Sequence, residues 1–238
     1  MPSPYVNVIK SYVLRSGRVT DAQRRSYDSL SERYIVPFAE NRINYVQIFG
    51  NDNPVITEIG FGMGEATAVI AAENPEKNYI GIEVHRPGVG KLLWEIEHRS
   101  LSNIRIVEHD AVEVFLKMIP QDSLEGIHLF FPDPWPKKRH HKRRLVQRPF
   151  TGILASRLRP GGYLYMVTDW EDYAVWALEE LGGTEGLVNF YGETNSGAAY
   201  GFALPQSWRP RTKFEKKGID KKHEVRELYF RKSGENEE

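Results

Sequence analysis

Short apolar runs alternate with amphipathic stretches between residues 54 and 181. The first run, 55–59, is β-branched and is bounded by Pro54 and Gly60, which predicts a buried strand. The same pattern predicts four more strands, at 79–84, 104–108, 126–131 and 163–168. Helices are predicted after them or between them, at 66–73, 88–99, 112–119, 149–158 and 171–181. Strands that alternate with helices predict an α/β fold with a mostly parallel sheet and helices on both faces.

The flanking segments are less regular. Residues 1–25 form a basic arm that we expect to be partly ordered, either as a solvated tail or as an RNA-contacting arm. Residues 26–232 are predicted to be a single domain. Within it, 182–210 is mostly loop with a short strand near 187–191, and 225–231 suits an antiparallel edge strand. Residues 233–238 are predicted to be an acidic, disordered tail.

Composition excludes several classes of function. The 238 residues contain no cysteine, which excludes disulfides, thiolate metal sites and cysteine nucleophiles. Lys plus Arg and Asp plus Glu are equal at 32 each, so affinity for a polyanion has to come from local clustering of charge. Because no apolar run has membrane-spanning length and residues 1–10 lack a signal-peptide block, we expect a soluble, cytoplasmic protein.

An acidic residue stands at or near the end of each of the five predicted parallel strands. These residues are, in chain order, Glu58, Glu83, Asp110, Asp133 and Asp169. The carboxyl ends of parallel strands meet at one rim of the sheet, where ligands of open α/β sheets bind. The pattern therefore predicts an acid-lined pocket, although Glu83 and Asp110 would also serve as ordinary helix caps.

The glycine loop distinguishes between cofactors. Gly60, Gly62 and Gly64 give the pattern G-x-G-x-G, whereas a dinucleotide fingerprint needs its third glycine where Glu65 stands. Glu65 would also repel a pyrophosphate at the helix N-terminus, and no P-loop pattern occurs. A cationic cofactor without phosphates, S-adenosylmethionine, fits better. Glu83 is then placed for the ribose hydroxyls, Asp110 for the adenine amino group and Glu58 for the methionine end.

A proline-framed turn leads into dense positive charge. Asp133 lies between Pro132 and Pro134, each of which restricts the backbone around it. Residues 137–144 then hold six Lys or Arg and two His, which is typical either of a solvated loop or of a phosphate-binding surface. Trp135 is either a structural lid or a stacking platform for a base. No metal site is predicted, because the two histidines have no acid nearby in ligand spacing.

With these motifs in place, the chain resembles the bacterial tRNA (guanine-N7)-methyltransferases from Arg15 to Arg231. The resemblance rests on Glu58–Gly64, Gly81–His85, Phe131–His140, Thr168–Trp170 and Arg211–Glu215. It implies a Rossmann-like class I methyltransferase that transfers a methyl group from S-adenosylmethionine to N7 of a guanine in the variable loop of tRNA.

The resemblance also implies roles for individual residues. Cofactor contacts are expected at Glu58, Gly60, Gly62, Glu83, Asp110 and Asp133, with Asp133 also catalytic. Substrate contacts are expected at Lys137, Asp169, Thr212, Lys213, Phe214 and Glu215. RNA contacts are expected at Arg139, His140, His141, Lys142, Arg143 and Arg144. The expected partner is tRNA, with no membrane and no metal ion, and the protein would be a monomer or a homodimer.

Two other functions remain open at the level of sequence. A methyltransferase that acts on a small molecule or a protein would leave the basic run without a purpose. A non-catalytic RNA-binding protein with a methyltransferase-like fold would bind RNA without taking up the cofactor. A nicotinamide-dependent dehydrogenase is disfavoured by the glycine spacing.

Overall fold

The computed structural model describes residues 10–12, 19–192, 201–211, 215 and 224–234. The helices are α1 (Asp21–Tyr34), α2 (Tyr45–Phe49), α3 (Glu65–Glu73), α4 (Arg86–His98), α5 (Ala111–Lys117), α6 (Phe150–Arg157) and α7 (Glu171–Gly182), with a 3₁₀ helix at Lys138–Arg143. The strands are β1 (Val55–Ile59), β2 (Asn78–Ile82), β3 (Ile104–Val107), β4 (Leu124–Phe130), β5 (Leu158–Thr168), β6 (Leu187–Asn189) and β7 (Arg226–Lys232).

In the described part of the chain, the strands form one sheet in the order β3-β2-β1-β4-β5-β7-β6. The five strands β1 to β5 run parallel, and β7 pairs antiparallel with both β5 and β6. The direction of winding reverses between β1 and β4, which is where open α/β sheets form their ligand crevice. The predicted parallel sheet with an antiparallel edge is confirmed.

The helices cover both faces of the sheet, as predicted. Buried side chains of α2, α5, α6 and α7 fill one face, and those of α1, α3 and α4 fill the other. Helix α1 begins with a capping box, in which the Thr20 hydroxyl accepts from the Gln23 amide and the Gln23 side chain accepts from the Thr20 amide. This helix packs against α4 and runs through residue 25, where the sequence suggested the end of the basic arm.

Two sequence-based expectations about strands need correction. Strand β5 begins at Leu158 rather than at 163, because Leu158 already pairs with Leu124 before a register shift. The 225–231 strand is not the outermost one, since the short β6 pairs along its free side. The antiparallel edge of the sheet therefore consists of two strands.

Candidate functional site

The glycine loop lies at the carboxyl end of β1, at the reversal of the sheet order. Gly60 and Gly62 have φ of 73° and 59°, in the left-handed region that favours glycine. A side chain added at either position would meet nothing within 4 Å, so the backbone of this loop faces open space. The amide of Gly60 donates to the Ile82 carbonyl at 2.8 Å, which holds the loop against the end of β2.

Glu83 follows β2 directly and binds the glycine loop. Its carboxylate accepts from the Gly62 amide at 2.9 Å, from the Val84 amide at 2.7 Å and from the His85 amide at 3.0 Å. These contacts fix the orientation of the half-buried carboxylate at the rim. Two carboxylate oxygens offer about four acceptor positions, so capacity for further hydrogen bonds remains.

A cavity of about 220 Å³ opens between the ends of β1, β2 and β4. Three residues of the predicted site line it: Gly60, Glu83 and Asp133. The remaining lining residues are Ser11, Tyr12, Ile59, Ile82, Val84, His109, Ala111, Phe131, Pro132 and Leu145. The structure thus brings the glycine loop, the acid after β2 and the proline-framed acid to one cavity.

Glu58 lies within β1 rather than after it, and its side chain is 3% exposed. The Thr67 hydroxyl donates to its carboxylate at 2.7 Å. Burial raises the pKa of Glu58 to about 7, and the Thr67 hydrogen bond partly opposes that rise. Glu58 therefore lies beneath the glycine loop, in the interior, and does not line the cavity.

Asp110 caps helix α5, where its carboxylate accepts from the Val112 amide at 2.8 Å. Burial raises the pKa of Asp110. The side chain does not line the cavity itself, but its neighbours His109 and Ala111 do. The helix-capping role of Asp110 accounts for its contacts within the protein. The expected contact with an adenine would be made in addition to them.

The proline-framed turn has a strained backbone. Phe131 and Trp135 have φ of 50° and 46°, which side-chain-bearing residues seldom adopt. The Phe131 amide donates to the Val167 carbonyl of β5 at 2.8 Å, which fixes the start of the turn. Asp133, at its centre, is exposed and faces the cavity.

The basic run forms the 3₁₀ helix beside this turn. Arg139 and Lys142 are exposed on it, and so is Lys137, which directly precedes it. The guanidinium of Arg143 lies 4.3 Å from the centre of the Trp135 ring, and the Trp135 indole donates to the Ser11 carbonyl at 3.1 Å. Trp135 is therefore half-buried under Arg143 and contacts the N-terminal segment.

Two histidines of the run have aromatic contacts. The ring of His140 packs edge-on against Trp135, with ring centres 5.9 Å apart, and His141 packs against Trp176 at the same distance. Both side chains are half-buried. Among the described residues, no group of three or more His, Cys, Asp or Glu is arranged to hold a metal ion.

Arg144 does not lie on the basic surface. Its side chain is 0% exposed, and it forms an ion pair with Asp172 of α7. The expected RNA contact at Arg144 is therefore corrected, because a fully buried guanidinium does not reach a nucleic acid. This burial could not be predicted from the sequence, since Arg144 ends a continuous run of basic residues.

Glu215 is also buried, at 6% exposure. Its carboxylate accepts two hydrogen bonds from Arg209, at 2.7 and 3.1 Å. Arg209 also donates to Glu227 at 2.9 Å and to the Tyr165 hydroxyl at 3.2 Å. The expected direct substrate contact at Glu215 is corrected to a buried ion pair, because both of its carboxylate oxygens accept from the Arg209 guanidinium.

The remaining predicted residues divide into two groups. Asp169 is half-buried and directly follows β5, at the same rim as Asp133. Thr212, Lys213 and Phe214 lie outside the described residues.

Three cavity residues were not predicted from the sequence: Ser11, Tyr12 and Leu145. They are distant in sequence from the other lining residues and belong to no motif.

The described residues include no helix that is both long and apolar enough to cross a membrane.

Comparison with known proteins gives a consistent result. Residues 52–228 match the family described as putative methyltransferase. The chain is 51% identical over 225 residues to the tRNA (guanine-N(7)-)-methyltransferase of Nitrosomonas eutropha, which covers 94% of this chain and 97% of that protein. It is 50% identical over 231 residues to the protein of the same name from Bordetella pertussis, with 97% of this chain and 88% of that one covered.

A solved structure of an rRNA methylase from Streptococcus thermophilus gives a TM-score of 0.47 at 12% identity, and covers 91% of this chain and 99% of that one. At that level of similarity, the fold class of this chain rests on its own strand order.

Proposed function

The chain belongs to the tRNA (guanine-N(7)-)-methyltransferases, and from that premise we propose that it transfers a methyl group from S-adenosylmethionine to N7 of a guanine in tRNA. The family resemblance seen in the motifs is thereby confirmed. The observation that carries the proposal is the cavity shared by Gly60, Glu83 and Asp133, which opens beside the basic 3₁₀ helix. A cofactor site and a polyanion-binding surface are thus adjacent.

The donor set of the cavity suits S-adenosylmethionine. The Glu83 carboxylate is an acceptor suited to ribose hydroxyls, and the exposed backbone at Gly60 and Gly62 leaves room for the methionine portion. Ile82, Val84 and Ala111 provide apolar surface. In the proposed arrangement the Asp110 carboxylate accepts from the adenine amino group. Glu58 faces the methionine end of the cofactor from beneath the glycine loop.

The chemistry requires little from the protein beyond positioning. When bound, the cofactor supplies an electrophilic methyl group on a sulfonium. Guanine N7 has a lone pair and no proton, so no side chain has to act as a general base, and catalysis depends chiefly on alignment. The purine gains positive charge during transfer, and the carboxylate of Asp133 is proposed to stabilise that charge.

The tRNA surface is proposed to begin at the cavity mouth. Lys137, Arg139 and Lys142 are exposed there and would pair with phosphates. Asp169 and residues 212–214 are proposed to contact the substrate guanine. We place the target guanine in the variable loop. A tRNA substrate also agrees with the predicted cytoplasmic location of the protein.

The direct test is to incubate the protein with isotopically labelled S-adenosylmethionine and an unmodified tRNA, and then map the labelled nucleotide. We expect label on N7 of one guanosine in the variable loop. A matched tRNA with 7-deazaguanosine is expected to accept no label, because a carbon replaces N7. Label on another position, on protein or on a small molecule would contradict the proposal.

The role of Asp133 has its own variant. Asp133→Asn keeps the shape of the side chain but removes its charge, so we expect kcat to fall about 100-fold. Asp122→Asn, at an exposed ion pair with Lys232, is the matched control and is expected to keep its activity. Equal single-turnover rates for Asp133→Asn and the wild type would remove Asp133 from catalysis.

A further inference from the structure

Arg144 is among the largest fully buried side chains of the protein, although it ends the basic run. A buried guanidinium is tolerated only where hydrogen bonds and an opposite charge compensate the loss of water. Arg144 has both. Its partners connect two neighbouring strand ends at the rim of the cavity.

The first partner lies in the proline-framed turn. Arg144 Nε donates to the Pro134 carbonyl at 3.0 Å, next to Asp133 in the chain. The turn is strained at both of its ends, at Phe131 and Trp135, so it needs contacts that hold it. The Phe131 amide fixes the first end on β5, and Arg144 fixes the carbonyl that follows Asp133.

The second partner lies in helix α7, which follows β5 and Asp169. Arg144 Nη2 pairs with the Asp172 carboxylate in the first turn of that helix. The guanidinium also lies 5.0 and 5.1 Å from the ring centres of Tyr173 and Trp176, within the range of cation–π attraction. One side chain thus joins the end of β4, which carries Asp133, to the segment after β5, which carries Asp169.

From this geometry we propose that Arg144 is a positioning residue of the methyl-transfer site rather than an RNA contact. It holds the Pro134 carbonyl and Asp172 at a fixed separation, and thereby sets the place of the Asp133 carboxylate relative to the cavity. The inference rests on the proposed function, since it assigns Arg144 an effect on that reaction.

Arg144→Lys separates the two roles. A lysine keeps the positive charge that a phosphate contact would use, but it cannot donate in two fixed directions to Pro134 and Asp172. We expect kcat to fall at least about 10-fold. The KM for tRNA and the salt dependence of tRNA binding are expected to stay within about twofold of the wild type. An unchanged kcat, or a loss confined to KM, would overturn the proposal.

Asp172→Asn provides an independent variant with an opposite prediction for the two roles. If Arg144 contacted RNA, neutralising Asp172 would release its charge and strengthen tRNA binding. If Arg144 is a positioning residue, kcat falls and the affinity for tRNA does not improve, because the buried Arg144 guanidinium does not contact the RNA. Improved tRNA binding with full kcat would contradict the proposal.

Controls separate positioning from loss of folded protein and from failure of the proposed function. Rates are normalised to the number of cofactor sites found by calorimetry with S-adenosylmethionine, so an unfolded fraction does not lower kcat. Arg159→Lys makes the same change in an exposed arginine paired with Glu125, and is expected to leave kcat unchanged. If the wild type transfers no methyl group to tRNA, the proposed function fails; a normal Arg144→Lys beside an active wild type refutes only the inference.

Discussion

Two acids near the glycine loop differ in environment, and the difference determines what each can do. Glu58 is a buried residue of β1 whose carboxylate accepts from Thr67, whereas Asp133 is exposed and faces the cavity. Burial raises the pKa of Glu58 to about 7, so near neutral pH this residue is divided between its charged and neutral forms. Glu58 is therefore a pH-sensitive element directly beneath the proposed methionine site.

The raised pKa has a consequence for stability. Because the native state holds the Glu58 proton up to about pH 7 and the unfolded chain releases it near 4.5, the free energy of unfolding contributed by this group falls as pH rises between those values. The contribution lost is on the order of 3 kcal/mol. In Glu58→Gln this loss is absent, so the variant should gain stability relative to the wild type as the pH rises from 4.5 to 8.

Urea unfolding of both proteins without cofactor, at several pH values, measures this difference. Thr67→Val is a useful companion, because loss of the hydroxyl donor should move the upper end of the pH window above 7. A difference between Glu58→Gln and the wild type that stays constant with pH would show that Glu58 titrates like an exposed acid.

At the scale of secondary-structure elements, helix α4 packs directly against the glycine loop. A Cβ atom added at Gly88 would lie 1.9 Å from the Gly62 carbonyl oxygen. The helix would have to shift to make room for it, and such a shift of a packed helix costs free energy of folding. Glycine at 88 thus allows α4 to press against the loop that Glu83 also holds through the Gly62 amide. The loop is fixed from two sides.

Gly88→Ala should therefore displace the glycine loop. We expect the protein to lose about 1–3 kcal/mol of stability and to bind S-adenosylmethionine more weakly, since the loop shares a hydrogen bond with Glu83. Gly152→Ala is the matched control, because Gly152 lies in α6 with nothing within 4 Å of an added side chain. Alanine there should be neutral or stabilise the helix. Thermal unfolding and calorimetry measure both effects, and equal cofactor affinities for the two variants would contradict the argument.

At the scale of the whole molecule, local pattern predicted the parallel part of the sheet because each parallel strand contains a short apolar run, and parallel topology brings the ends of these strands to one rim. Gly60, Glu83 and Asp133 were therefore found together. Arg144 was misassigned because its burial depends on Asp172, a partner far away in sequence. Glu215 was misassigned because its motif does not reveal that its carboxylate pairs with Arg209, which lies outside the motif. A run of like charges does not reveal which member turns inward.

The distribution of charge over the whole molecule also makes a prediction. The net charge is zero, so tRNA affinity should depend on the exposed cations at the cavity mouth and not on total charge. The double variant Lys137→Ala, Arg139→Ala removes two of them, and the slope of log K against log salt should decrease by about two if both contact phosphates.

The matched control is Lys117→Ala with Arg159→Ala. It removes the same total charge from two exposed residues that pair with Glu40 and Glu125, at the end of the sheet opposite the cavity. We expect this control to keep the wild-type slope, because the two residues lie at the other end of the sheet from the cavity mouth and salt screens interactions between distant exposed charges. Filter binding at several salt concentrations measures both slopes. If the two double variants lost slope equally, tRNA would respond to total charge, and the 3₁₀ helix would not be its binding surface.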